Sequence, residues 1–408
     1  MKYKISLGHY KIYSVMKETL SRFDRLYSSI SGEVPDRVPF LPKIWIDLAC
    51  KINNTDLENT FNNPFAILEE LAKAYIEVGA DGLRQFYFPL RNTFKKNDKI
   101  YEIDNKKNTV GIIDINGGLI TRLENPDFFN YEDPWFMAYN HYYSCNRPLI
   151  PNKQAAKNMV IPPKSFYRET ECGKNQIEII KKYGDNYAII GDCDTGTMAF
   201  LVTMRGMEQG LTDLYLESEL VHCIMEKGVG YCIERGKFNI DMGVKILRLN
   251  DSVGNMNVIS PELWEEFVFP HMKTICDELH HYDPLVRIYC HICGNIMPIL
   301  EKLVETGLDC IGPLDPLGGV NPLEVRKIVG NNVALLGGVN TLSFLNETVD
   351  NIIDEARFSI ENAGSRGGYI LSSGCVIPRD SNVKNIKVLK EVVAKYGFYK
   401  YGELIKIN

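Results

Sequence analysis

The chain carries no excess of positive charge. Its 46 lysines and arginines stand against 52 aspartates and glutamates over 408 residues, a formal net charge of −6. No basic tract could follow a phosphate backbone or an anionic membrane, so nucleic acid and membrane surfaces are not expected partners. No stretch approaches the roughly 20 apolar residues that cross a bilayer. The first 17 residues mix Lys, Tyr and His with short apolar pieces and hold no continuous apolar segment, so a cytoplasmic location is expected. The eleven cysteines are odd in number and follow no repeated spacing, which argues against a disulfide framework and for a reducing compartment. Cys193, Cys223, Cys232, Cys276 and Cys310 lie in apolar surroundings and read as small buried hydrophobes. No glycine-rich dinucleotide turn follows the first predicted strand, which weakens an open doubly wound sheet.

What is present is a regular alternation. A hydrophobic fraction of 45% over this length suits one large core, and a single unit of this size is best read as a barrel with insertions. Apolar runs of strand length occur at 37–45, 79–89, 188–192, 244–251, 285–291, 308–314, 333–339 and 367–375, with helical patterns between the later ones. Ser260-Pro261-Glu262-Leu263 opens one helix with an N-cap serine and proline at the first helical position, and Asn321-Pro322-Leu323-Glu324 opens another in the same way. Eight nearly continuous apolar strands joined by helices predict a (β/α)8 TIM barrel spanning residues 1–408. A helix at 15–30 is expected to close its bottom. The interval 91–184 is too long for one helix and predicts an insertion after the second strand, with a hairpin formed by 100–103 and 110–115. The aromatic run at 131–143 is expected to cover apolar barrel surface or to form a lid over the mouth.

The most informative pattern is His291-Ile292-Cys293 at a predicted strand end, answered downstream by Ser372-Ser373-Gly374-Cys375. Residues two apart on an extended segment point the same way, so an imidazole and a thiolate can close on one ion, with Cys375 as a third ligand from another strand. Zinc held by three protein groups keeps one position open, the arrangement of a catalytic ion. Barrel enzymes carry their reacting groups at the carboxyl ends of the strands, where these three fall. Asp81, Asp192, Asp194, Asp251 and Asp315 are assigned to the same rim, each a candidate fourth ligand, orienting partner or proton donor. Asp251 is the expected catalytic carboxylate, Asp81 and Asp192 are expected to bind substrate, and Asp315, followed by Pro316, reads as a cap. Arg205 is expected to anchor an anionic group. His280 and His281 end a helix, where their charge is favourable.

These residues resemble the uroporphyrinogen decarboxylase superfamily, and within it the zinc-dependent methylcobamide:thiol methyltransferases. The resemblance runs from Asp36-Arg37-Val38-Pro39 through Arg205-Gly206-Met207-Glu208 and Asp251 to Gly368-Tyr369-Ile370-Leu371-Ser372-Ser373-Gly374-Cys375. It implies a (β/α)8 barrel, zinc on His291, Cys293 and Cys375, and transfer of a methyl group between a corrinoid held by a separate carrier protein and a thiol or tetrahydrofolate. The decarboxylases of the superfamily bind a polycarboxylate without metal through an arginine-rich segment after the first strand. Here that place reads Trp45-Ile46-Asp47-Leu48-Ala49-Cys50-Lys51, without arginine. The alternatives are a metal-free carboxy-lyase and a corrinoid-binding scaffold whose zinc is structural.

Overall fold

The computed structural model describes residues 17–61, 63–84, 92–104, 106–114, 120–138 and 143–406. The barrel begins with β1 (Gly82–Leu83). An inserted sheet follows, made of β2 (Asn92–Lys96), β3 (Lys99–Ile103), β4 (Thr109–Asp114), β5 (Ile120–Leu123) and β6 (Tyr143–Ser144). The barrel resumes with β7 (Ala188–Asp194), β8 (Ile246–Asn250), β9 (Arg287–His291), β10 (Cys310–Leu314), β11 (Ala334–Val339) and β12 (Tyr369–Ser373). These seven barrel strands pair in parallel, in chain order. The strands from β7 onward are buried along almost their whole length, as expected when helices cover one face and packed side chains fill the other.

The first predicted strand, 37–45, is reduced to a single bridge between Phe40 and Leu371. Pro39 and Pro42 lack the N–H groups that a longer ladder would need. The short contact still closes the ring. Leu371 N donates to Pro39 O at 2.9 Å, Leu41 N donates to Leu371 O at 2.9 Å, and Asp81 N donates to Phe40 O at 2.8 Å. Residues 39–41 therefore stand between β12 and β1 in the eighth position of a TIM-barrel-like fold. The second predicted strand is confined to β1, and most of its remaining residues lie outside the described ones.

Inside the barrel, Leu41, Ile190, Ile246, Tyr289, Leu336 and Ile370 pack together, and Leu26 and Ile30 close that cluster from below. Both belong to the helix Arg22–Ile30, whose N-cap Ser21 accepts from Asp24 N. The helix expected to plug the bottom is present, starting later than the pattern suggested. Ser260 and Asn321 cap their helices as read from the sequence. Cys193, Cys232, Cys276 and Cys310 are buried free thiols and Cys223 is half-buried.

The hairpin predicted between β3 and β4 is antiparallel as expected, and β2, β5 and β6 extend it. Of the aromatic run, Pro134–Ala138 is a short helix with Phe136 and Met137 buried; residues 139–142 lie outside the described ones. Phe136 packs edge-on against Phe128 and Phe129, with ring centroids at 5.7 and 5.8 Å. These rings form an internal cluster that holds the insertion together. Among the described residues no helix is long and apolar enough to cross a membrane.

Candidate metal centre

His291 is the last residue of β9, and Cys293 lies two positions beyond it. Cys375 lies two positions beyond the end of β12. Gly294 takes a positive φ of 91° that turns the chain immediately after Cys293. Gly374 passes the Pro316 ring so closely that a Cβ there would come within 2.7 Å of it. Parallel strands of one barrel end on one rim, so the ligand atoms of His291, Cys293 and Cys375 lie within 4.8 Å of one another. Cys375 Sγ is 3.9 Å from His291 Nε2. A tetrahedral zinc ion separates its nitrogen and sulfur ligands by about 3.5 Å, so one imidazole and two sulfurs in this arrangement fit zinc with a position to spare.

A fourth group in this cluster had no counterpart among the expected site residues. Lys43 follows the short strand segment 39–41, and its Nζ lies 2.6 Å from His291 Nε2. Its backbone is sewn to the Cys375 segment: Lys43 N donates to Ser373 Oγ at 3.2 Å, Ile377 N donates to Lys43 O at 3.0 Å, and Ser373 Oγ donates to Cys375 O at 2.6 Å. Burial pulls the Lys43 ammonium down to about 8, a drop that Cys375 opposes. Burial, reinforced by the Lys43 charge, lowers His291 to about 3, so the ring is neutral and able to ligate. The two sulfurs shift each other in opposite directions. The neighbouring Cys375 holds Cys293 well above the ordinary thiol range, while Cys375 is held well below it by Cys293, His291 and Lys43. On the far side of His291, Tyr289 Oη sits 2.8 Å from Nδ1. The embedded lysine of Leu41-Pro42-Lys43-Ile44-Trp45, isolated in an apolar run at a predicted strand end, was the sequence signal for a buried cation on the rim.

Beside this cluster opens a cavity of about 1160 Å³, with Lys43, Arg248, Asn250, Ser252 and Arg205 in its lining and Tyr143 and Arg147 contributed by the insertion. Arg205, expected to anchor an anionic group, borders this cavity. It is already paired, with Nε 2.5 Å from Asp213 Oδ2 and Nη1 donating to Ile150 O at 2.6 Å.

The carboxylates depart from expectation. Asp251 does not face the mouth. Asn250 and Ser252 on either side line the cavity, and Asp251, pointing the other way, accepts from Ala199 N at 2.8 Å at the start of the helix Met198–Arg205. It is a clamp between that helix and the metal strand, since its own N–H donates to His291 O at 3.0 Å. Burial raises its carboxyl to about 6. Asp192 does not reach the cavity either. It accepts from Arg248 Nε and Nη2 at 3.1 and 2.9 Å, and burial, which would raise its pKa, is outweighed by the charges of Arg248 and Arg235. It positions Arg248, the residue that does line the cavity. Asp81 precedes β1 and so sits at the opposite end of the barrel, fully buried between Arg25 and Arg37; it is not a substrate group. Asp315 caps the turn Pro316–Gly318, accepting from Leu317 N, and also accepts from Gly294 N at 3.0 Å.

The uroporphyrinogen decarboxylase (URO-D) family model matches residues 144–396, more than half the chain, a span that includes His291, Cys293 and Cys375. The methylated-thiol–coenzyme M methyltransferase of Methanosarcina mazei is 23% identical over 189 residues, 46% of this chain and 48% of that protein. The uroporphyrinogen decarboxylase of Pseudoalteromonas translucida is 29% identical over 187 residues, 45% of this chain and 51% of that protein. The matches therefore span about half the length of these curated relatives. A solved methyltransferase structure from Methanosarcina mazei superposes with a TM-score of 0.64 at 16% identity, covering 92% of this chain and 99% of that one. At that identity the likeness establishes the fold.

Proposed function

The chain belongs to the uroporphyrinogen decarboxylase family, and within it we propose that it is a zinc-dependent methyltransferase moving a methyl group between a corrinoid and a thiol or tetrahydrofolate acceptor. The observation that carries this reading is the meeting of His291, Cys293 and Cys375 within 4.8 Å of one another, next to Lys43, which borders a large cavity. Zinc held by His291, Cys293 and Cys375 would supply the Lewis acidity that lowers the pKa of an acceptor thiol. The chain's own residues set the conditions. Neutral His291 and the acidified Cys375 offer lone pairs without prior loss of several protons. Lys43 and Arg248 place positive charge where the acceptor's negative charge develops. The cavity exceeds the volume of most single-ligand pockets, which suits two reactants meeting in it. The corrinoid would arrive on a separate carrier protein at the cavity mouth.

A second reading, a metal-free carboxy-lyase, is favoured by one feature: Lys43, Arg205 and Arg248 all border the cavity and would suit carboxylates. Metal content separates the two. Protein purified without chelator should hold about one zinc per chain, lost in Cys375→Ala, and should demethylate methylcobalamin in the presence of a thiol or tetrahydrofolate, followed by cobalamin absorbance. Full zinc occupancy without methyl transfer to any acceptor would overturn the methyltransferase assignment, and absence of zinc would favour the carboxy-lyase.

A further inference from the structure

Lys43 is 4% exposed, and among the described residues no carboxylate forms an ion pair with it. Its side-chain partner is His291 Nε2, the ring nitrogen that also faces Cys375 Sγ. An ammonium has three donors and no acceptor. The contact therefore makes Nε2 the acceptor, places the ring proton on Nδ1, and directs that proton to Tyr289 Oη. This is the tautomer that a metal ion requires at Nε2. A metal ion and Lys43 then compete for one lone pair, because an ion about 2.0–2.1 Å from Nε2 leaves no room for an ammonium on the same lone pair.

We propose that Lys43 is a place-holding cation: it keeps His291 in its ligating tautomer while the centre is empty, and metal loading exchanges one cation for another and drives the Lys43 ammonium into the adjoining cavity. The inference rests on the reading of His291, Cys293 and Cys375 as metal ligands. Space for the movement exists, since Lys43 already borders the cavity. Lys43 is a positioning residue here, acting through His291.

The test is Zn2+ affinity, measured on the full chain by competition with a chromophoric chelator. Lys43→Met retains the length of the side chain and removes its charge and donors, and should bind Zn2+ about tenfold more tightly than the wild type, with Lys43→Arg binding more weakly. The wild-type protein gives a second readout that needs no variant. Reductive methylation of Lys43, followed by peptide mass spectrometry, should rise several-fold on adding Zn2+. Unchanged or weakened Zn2+ binding in a folded Lys43→Met protein overturns the proposal, as does labelling of Lys43 that is indifferent to Zn2+. If Lys43→Met does not fold, the labelling experiment decides. Failure of the wild type to bind Zn2+ would sink the metal reading and this inference with it, whereas normal wild-type binding without either Lys43 effect sinks this inference alone.

Discussion

The two ends of the barrel handle charge in opposite ways. At the bottom, Asp81 is fully buried between Arg25, which reaches its Oδ1 at 2.8 Å, and Arg37, which reaches its Oδ2 at 2.9 Å, and it also accepts from Phe40 N. Asp36 takes the remaining face of Arg25 at 2.7 Å, and Glu18 reaches both arginines. Every charge there meets its opposite. At the top, a buried lysine rests on a neutral imidazole, with two cysteine sulfurs close by and no carboxylate paired with the lysine among the described residues. One end is neutralised and serves the fold; the other is under-compensated and ready to accept an ion or a reactant. The contrast shows why a buried charge cannot by itself be read as catalytic. What matters is whether its partners are already in place.

The contrast can be broken or sharpened by experiment. The largest effect is expected at the top: under the proposed zinc-dependent methyl transfer, His291→Ala or Cys375→Ala should lower that activity by about a thousandfold or more through loss of the ion, while the melting temperature of the metal-free protein stays close to wild type. Chelator treatment of the wild type should likewise leave a folded protein by circular dichroism; unfolding would assign the ion to structure and erase the distinction between the ends. At the bottom the pattern inverts. Asp81→Ala strands two buried guanidiniums and should cost about 3–5 kcal/mol in denaturant unfolding, with zinc content per folded chain unchanged.

Asp251 lies between these cases, a carboxylate near the rim that works as a clamp. Its folded pKa of about 6 lies above its ordinary value, so between about pH 4 and 6 the native state binds more protons than the unfolded state and stability falls as pH rises. The penalty is complete above pH 6. Asp251→Asn keeps an acceptor for Ala199 N and should therefore stabilise the protein at pH 8 by up to about 3 kcal/mol, with the gain vanishing near pH 4. A pH-independent difference in unfolding midpoints would refute that account. The smallest expected effect is at Tyr289, the partner of His291 Nδ1. Tyr289→Phe should weaken Zn2+ binding about tenfold without altering the fold, because an outer partner that orients a ligating histidine contributes on that scale.

Much of the fold was legible in the chain. The strands from β7 to β12 stand out because parallel strands buried on both faces read as continuous apolar runs, and Ser260 and Asn321 announce their helices through local capping chemistry. The first strand was overread because Pro39 and Pro42 limit its ladder to one bridge. The extra strands of the insertion are hard to see in the sequence because β2 is polar, although it pairs with its neighbour β3, and β6 is only two residues long and pairs in parallel with β5. The carboxylates were misassigned for a different reason. Asp81, Asp192 and Asp251 look alike in sequence, and their roles depend on arginines and helix ends supplied by distant segments.

The chain alone determined the local facts: which runs become strands, and that an imidazole and a thiol two residues apart at a strand end face the same way. Only the tertiary structure decided that Cys375, 84 residues after His291, and Lys43, 248 residues before it, share one pocket. Barrel closure brings every strand end to one rim, and no spacing along the chain measures distance around a ring.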